Sequence, residues 1–244
     1  MEIVVRNARK AYHTPGRTVQ ALDGVDFEAK SSEVTVIAGT NGSGKSTLLN
    51  AISGVLDLDE GDILFDNVPL HCMNVVRISR LRGILQQMPL SSLCPTFTVE
   101  EMLRLYVDGI PFNRAKAEET FRRTGIGLNA RISDMSGGQQ QLIALELVLI
   151  REPRVLLLDE PTASLDPRHA SRILERVVEV AANGVTVILV THNLDQGLSV
   201  SQRIYLMHGG RVVTSWEGVS LRNLTANNLK MELVRAAAHS IGAP

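Results

Sequence analysis

Short, uninterrupted apolar runs recur along this chain, separated by longer stretches of mixed character. Val34 to Ala38, Val155 to Leu158 and Val185 to Val190 are strand-length and carry no polar break except a threonine, the pattern of strands buried on both faces. Ile3 to Val5, Val25 to Phe27, Ile63 to Phe65 and Gly83 to Leu85 are further short strand candidates. Helices are predicted at Lys45 to Ile52, Gly138 to Ile150 and Arg168 to Ala182, so strand and helix alternate as in a parallel sheet covered on both sides. From Met88 to Asp134 the texture changes. Helical stretches at Val99 to Tyr106 and Arg114 to Thr124 are punctuated by Pro95, Pro111, Gly125 and Gly127, which reads as a small helical insertion. Ile204 to Met207 and Val212 to Thr214, joined by Gly209 and Gly210, read as a hairpin, and Ala226 to His239 as a terminal helix. No internal repeat or low-complexity tract is visible.

Composition narrows the class. With 244 residues the chain can bury a core without disulfides or metals, and with aromatics at only 4% that core must be aliphatic. A net charge of −1 gives no electrostatic reason to expect a nucleic-acid partner. Cys72 and Cys94 have no metal-ligand spacing and are read as bystander thiols in a reducing compartment. Met1 to Lys10 carries charges without an apolar run, unlike a signal peptide, and no segment approaches the about 20 apolar residues that span a bilayer. Action at a membrane would therefore go through a partner.

Chemistry enters after the strand Val34 to Ala38. Gly39-Thr-Asn-Gly-Ser-Gly-Lys-Ser-Thr47 fits G-x-x-x-x-G-K-[ST] between a strand and a helix, the context in which that motif cradles phosphates. Backbone N–H groups of Gly39, Asn41, Gly42, Ser43, Gly44 and Thr47 would face an anion at a helix N-terminus. Lys45 would reach the β- and γ-phosphates and the Ser46 hydroxyl would bind Mg²⁺. A dinucleotide site is disfavoured, because G-x-G-x-x-G begun at Gly42 ends on Thr47. Asp159 and Glu160 follow the strand Val155 to Leu158. Ligands gather at the carboxyl ends of strands in open parallel sheets, so the two acids can meet the phosphate loop. Asp159 would hold Mg²⁺ and Glu160 would polarise a water for attack on the γ-phosphate, the alternative being a strand ended by solvated acids.

Met135-Ser-Gly-Gly-Gln139 then makes the pattern specific. It resembles the L-S-G-G-Q signature of ATP-binding-cassette (ABC) proteins, with Ser136 the family's usual 23 residues before Asp159. With the phosphate loop and Asp159-Glu-Pro-Thr162, the resemblance spans nearly the whole chain. It implies a P-loop NTPase core with a parallel sheet, an N-terminal antiparallel β subdomain and an inserted α-helical subdomain. The expected boundaries are 1–87 and 135–218 for the core with its β subdomain, 88–134 for the helical insertion and 219–244 for a C-terminal helical extension. The resemblance assigns ATP and Mg²⁺ as cofactors, and catalytic work to Glu160, His192, Gln87 and Lys45. Tyr12 matches the aromatic that stacks on adenine. Gln87 (Gln86 being adjacent) matches the glutamine that touches Mg²⁺ and senses a transmembrane partner, joining Ser46 and Asp159 as metal ligands. Ser136, Gly137, Gly138, Gln139 and Asp166 match residues that act across a head-to-tail dimer, while the same glycines at a helix start also suit a simply well-capped core helix. Gln140 and Gln141 mildly depart from the family, many relatives having a basic residue at one of these places.

The insertion is too short for the coiled coil of chromosome machines, one chain has room for one cassette rather than the two of ribosome-acting members, and the fused membrane helices of many exporters are missing. Leu128 to Asp134 also lacks the acidic, Gly-containing loop that exporters tend to carry before the signature. The resemblance thus implies a free-standing cassette of a bacterial solute importer, peripheral on the cytoplasmic face of the membrane. Its partners would be a second cassette subunit (a homodimer is expected), integral-membrane permease subunits and a solute-binding protein, with no nucleic acid. The competing reading is an ABC-type ATPase acting on a nucleic acid or ribosome. The segment Gln87 to Met102 and the triplet Thr191-His-Asn193 further resemble cassettes of amino-acid-type importers, linked to tryptophan or tyrosine uptake.

Overall fold

In the computed structural model, which describes residues 1–108 and 113–241, the apolar runs assemble into one six-stranded sheet. Its order is β10 (Arg211–Glu217), β9 (Arg203–His208), β3 (Val34–Gly39), β8 (Thr186–Thr191), β7 (Val155–Asp159) and β6 (Arg82–Leu85). All pairings are parallel except the β9–β10 hairpin. A second, antiparallel sheet has the order β2 (Arg17–Ala29), β1 (Ile3–Thr14), β4 (Glu60–Phe65) and β5 (Val68–Pro69).

The uninterrupted apolar character of the central strands follows from two cores lying on opposite faces of one sheet. Val34, Val36, Leu156, Leu158, Val187 and Leu189 enter one core, while Ile37, Val155, Leu157, Ile188 and Val190 enter the other. The alternation is the strand's two-residue period with both faces dry. The first core is closed by α3 (Val99–Val107), α4 (Arg114–Thr124), α5 (Gly137–Leu149), α6 (Pro167–Ala182), α7 (Leu194–Val200) and α9 (Ala226–Ile241), the last packing through Ala226 and Leu229. The second is closed by α1 (Lys45–Ile52) and the antiparallel sheet, with Ile78 of α2 (Val75–Leu81) at its margin.

Several boundaries differ from expectation. β1 and β2 run on past Val5 and begin before Val25, forming a long hairpin, because bulges between Val5 and Ala8 and again near Ala11 break the alternation that marks a strand. β8 starts at Thr186, not Val185, and α5 at Gly137, one residue earlier than read. α2, α7, β5 and the short α8 (Gly218–Arg222) were not expected. Pro111 lies outside the described residues. Among the described residues no helix is long and apolar enough to cross a membrane.

α5 and α6 are tied by a buried ion pair. The Glu146 carboxylate receives Arg176 Nε at 2.7 Å and Nη2 at 3.0 Å, and Arg176 also meets Glu179 at 2.9 Å. Arg176→Met leaves Glu146, itself almost wholly buried, without its partner. The expected cost is about 2 kcal/mol, below that of a fully buried pair because part of the guanidinium stays wet, and denaturant unfolding measures it. An unchanged unfolding midpoint would mean that Glu146 finds another donor.

Candidate functional site

Register brings the expected residues to one edge of the sheet. Ala38 pairs with Thr191, Val190 with Asp159, and Leu85 with Leu158. The chain therefore leaves β3, β8, β7 and β6 side by side, with the phosphate loop, His192, Asp159-Glu160 and Gln86-Gln87 at adjacent strand ends. In an open parallel sheet this is where ligands bind.

The phosphate loop turns from β3 into α1 through Gly44, whose φ of 99° suits glycine. A side chain there would also run into the Ala21 carbonyl of β2. Behind the loop, Gly210 N–H donates to the Ser43 carbonyl at 3.1 Å, so the β9–β10 turn buttresses it. Asn41, Gly42 and Ser46 are exposed, Thr47 is half-buried, and Ser43 is buried with its hydroxyl unpartnered among the described residues. Lys45 is buried, and its Nζ donates to the carbonyls of Gly39 at 3.0 Å and Thr40 at 2.8 Å. Burial lowers its pKa, and the nearby carboxylates of Glu160 and Asp159 pull it back up.

Ser46 Oγ donates to Asp159 Oδ1 at 3.2 Å. Burial raises the Asp159 carboxyl above its usual range, partly offset by the Ser46 hydroxyl and by Lys45. A hydroxyl and a carboxylate, both hard oxygen donors, fit a Mg²⁺ that takes one or two protein ligands and completes its shell with phosphates and water. Gln87 is exposed at the neighbouring strand end, and no side-chain hydrogen bond ties it to Ser46 or Asp159 among the described residues.

Glu160 is the sharpest feature. Its N–H donates to the Val190 carbonyl at 3.0 Å, and its backbone is left-handed, φ 51°, a strained conformation for a residue with a Cβ. The side chain is 12% exposed and accepts a 2.5 Å hydrogen bond from His192 Nδ1. The residues flanking His192 hold it there. Thr191 Oγ1 accepts from Asn193 N–H at 2.9 Å, and Asn193 caps α7 by accepting from Gln196 N–H at 3.1 Å.

Tyr12 is 42% exposed on the β1–β2 hairpin. It pairs with Val19 of β2, two residues before Ala21, so the ring stands on the strand next to the one whose Ala21 carbonyl approaches the phosphate loop.

The signature segment lies at the start of α5. Ser136 Oγ accepts from Gln139 N–H at 3.3 Å, and the Gln139 side-chain oxygen accepts from Ser136 N–H at 2.9 Å, a reciprocal cap. The cap does not close the helix start to an anion, because it leaves the N–H groups of Gly137 and Gly138 without an intrahelical acceptor. Asp166 caps α6, accepting from the N–H groups of Arg168 at 3.0 Å and His169 at 3.1 Å. Its carboxyl is held below the usual range, chiefly by the hydrogen bond from the His169 ring.

Two contacts escaped sequence reasoning, one of Gln141 and one of His169. Gln141 is 1% exposed, and its Nε2 donates to the Gln86 carbonyl at 3.3 Å, joining the signature helix to the strand end that carries Gln87. The available signal was a glutamine leading into the apolar run Leu142-Ile-Ala144. His169, beside Asp166, has no sequence signal beyond its place in a helix.

A P-loop between strand and helix, an acid pair at a parallel strand end of the same sheet and a second glycine-rich, capped helix start on the same chain fit a cassette-type ATPase. Residues 22–163 match the family described as "ABC transporter". The chain is similar to a xylose/arabinose import ATP-binding protein of Sulfolobus acidocaldarius, at 32% identity over 86% of this chain and 85% of that protein. It is also similar to a tyrosine transport ATP-binding protein of Clostridioides difficile, at 29% identity over 92% of this chain and 96% of that protein. Among solved structures it resembles a dimeric post-hydrolysis ATP-binding cassette bound to ADP and Pi, with a TM-score of 0.76 and 25% identity, covering 88% of this chain and 98% of that one. The chain belongs to the ABC transporter family, and it is an ATP-binding and ATP-hydrolysing subunit that powers a membrane transporter.

Proposed function

We propose that this cassette binds ATP with Mg²⁺ between two head-to-tail copies and couples its hydrolysis to solute import. The observation that carries this reading is the 2.5 Å Glu160–His192 bond beside Lys45 and the Ser46–Asp159 pair. Tyr12 stacks on adenine. Lys45 exchanges its two loop carbonyls for phosphate oxygens, and the loop's N–H groups receive the rest. Ser46, Asp159 and Gln87 hold Mg²⁺, which supplies neutralising charge to the phosphates. Glu160 accepts the proton of the attacking water, while His192 fixes the carboxylate and contacts the γ-phosphate. Ser136, Gly137, Gly138, Gln139 and Asp166 complete the site of the other copy.

The names of the import relatives support the direction of transport, and the tyrosine transport relative supports an amino-acid-like solute. Permease subunits in the membrane would hold the cassette at its cytoplasmic face and meet residues 88–134, which move as a helical unit on the core of 1–87 and 135–218. A solute-binding protein would complete the system, and within the C-terminal extension α8 and α9 pack on β9 and β10.

Light scattering of Glu160→Gln, with and without ATP, tests the composite site. A doubling of mass on adding ATP is expected. An unchanged mass with ATP bound would remove the second copy from the mechanism.

A further inference from the structure

His169 stands where two segments assigned to the second copy's nucleotide meet within one chain. Its Nδ1 lies 2.6 Å from Asp166 Oδ2, while the other carboxylate oxygen of Asp166 accepts the N–H groups of Arg168 and His169. One carboxylate is thereby both the cap of α6 and the anchor of the ring. The opposite edge of that ring fills the space over Gly138, where a Cβ would come within 2.6 Å of Cδ2 and 2.8 Å of the His169 Cβ. No side chain fits there while His169 holds this position. Further along the same two helices, Glu146 and Arg176 form the buried pair that fixes their separation. Seen from the α5–α6 interface, the ion pair locks the bodies of the helices and His169 locks their N-terminal ends.

We propose that His169 is a positioning residue that sets Asp166 and the Ser136–Gly138 turn at the mutual spacing required to meet one nucleotide together. The ring acts in two ways, as a donor to Asp166 and as a spacer against Gly138. It touches none of the groups assigned to the chain's own nucleotide, so its removal should spare binding by a single chain and weaken the closed pair. The proposal rests on the composite-site reading above.

The test compares His169→Ala, His169→Leu and His169→Asn, each in the parental chain for turnover and in the Glu160→Gln chain for dimerisation. Thermal unfolding of each variant serves as control. Leucine keeps bulk against Gly138 without the donor, and asparagine keeps a nitrogen donor for Asp166 with less bulk. His169→Ala is expected to raise the ATP-dependent dimer dissociation constant and lower kcat by about tenfold each, with ATP affinity of the single chain and KM within about twofold. His169→Asn and His169→Leu are each expected to recover part of the loss. A dimer constant and kcat within about twofold of the parent for His169→Ala would overturn the assignment. So would a loss in which unfolding temperature and single-chain ATP affinity fall together with dimerisation, since that is the mark of a merely structural ring. If Glu160→Gln with His169 intact fails to pair on ATP, the composite-site reading falls and takes this assignment with it. If it pairs and His169→Ala pairs as well, only the assignment of His169 falls.

Discussion

Glu160→Gln is expected to lower ATP turnover by about 10²–10⁴-fold while ATP still binds. The amide keeps the volume and one oxygen for the bond to His192 Nδ1, now 2.5 Å long, but it cannot take a proton from water. The carboxylate is nearly enclosed, its N–H is pinned to Val190, and His192 restricts its rotation, so the substitution changes chemistry more than shape. Phosphate release under saturating ATP reads the first effect and equilibrium titration the second. Turnover within a few-fold of the parent would remove Glu160 as the proton acceptor and leave His192 as the group to test next.

Lys45→Ala is expected to act on binding, weakening ATP affinity by about 10²-fold, the scale of losing charge-assisted bonds to phosphate. Lys45 is buried against Gly39 and Thr40, and Glu160 and Asp159 lie close enough to raise its pKa against the opposing effect of burial. Without the ammonium, only the loop's N–H groups and the Mg²⁺ would stand between those two acids and a polyphosphate. Titration with a fluorescent nucleotide measures the loss, and an unfolding curve separates it from damage to α1. Unchanged affinity would count against Lys45 as a phosphate ligand.

The sheet that carries these residues was largely legible because its central strands are dry on both sides. Val34 to Ala38 and Val155 to Leu158 need no partner residues to be read as strands. α1 and α4 were bounded correctly by the glycine turn before one and by Gly125 after the other. The misses have local causes. Val75 and Val76 of α2 are β-branched and exposed, only Ile78 of that helix is buried, and no apolar stripe forms. α7 carries Gly197 at its middle, a poor helix former kept close against Val36 and Thr191. Tyr12 was identified by its match to the family, but the strand that holds it was not, because bulges hide the strand's period.

For the site, motifs located the groups but not their bonds. The phosphate loop, Asp159-Glu160 and His192 were each placed at a strand end, and the register of β3, β8 and β7 supplies the reason they converge. Spacing along a chain contains nothing that would announce Gln141 reaching the Gln86 carbonyl or His169 filling the space above Gly138. Those are contacts between elements far apart in sequence, and each depends on how two helices or a helix and a strand settle on one another.

The left-handed backbone of Glu160 has a bearing on how this chain would evolve. Glycine at that place would relieve about 1 kcal/mol of backbone strain, and it would erase the proton acceptor in the same step. Variants ranked by heat resistance alone would therefore drift toward inert protein through position 160, while variants ranked by turnover must go on tolerating the strain. The site thus sets activity and robustness against each other at a single torsion angle.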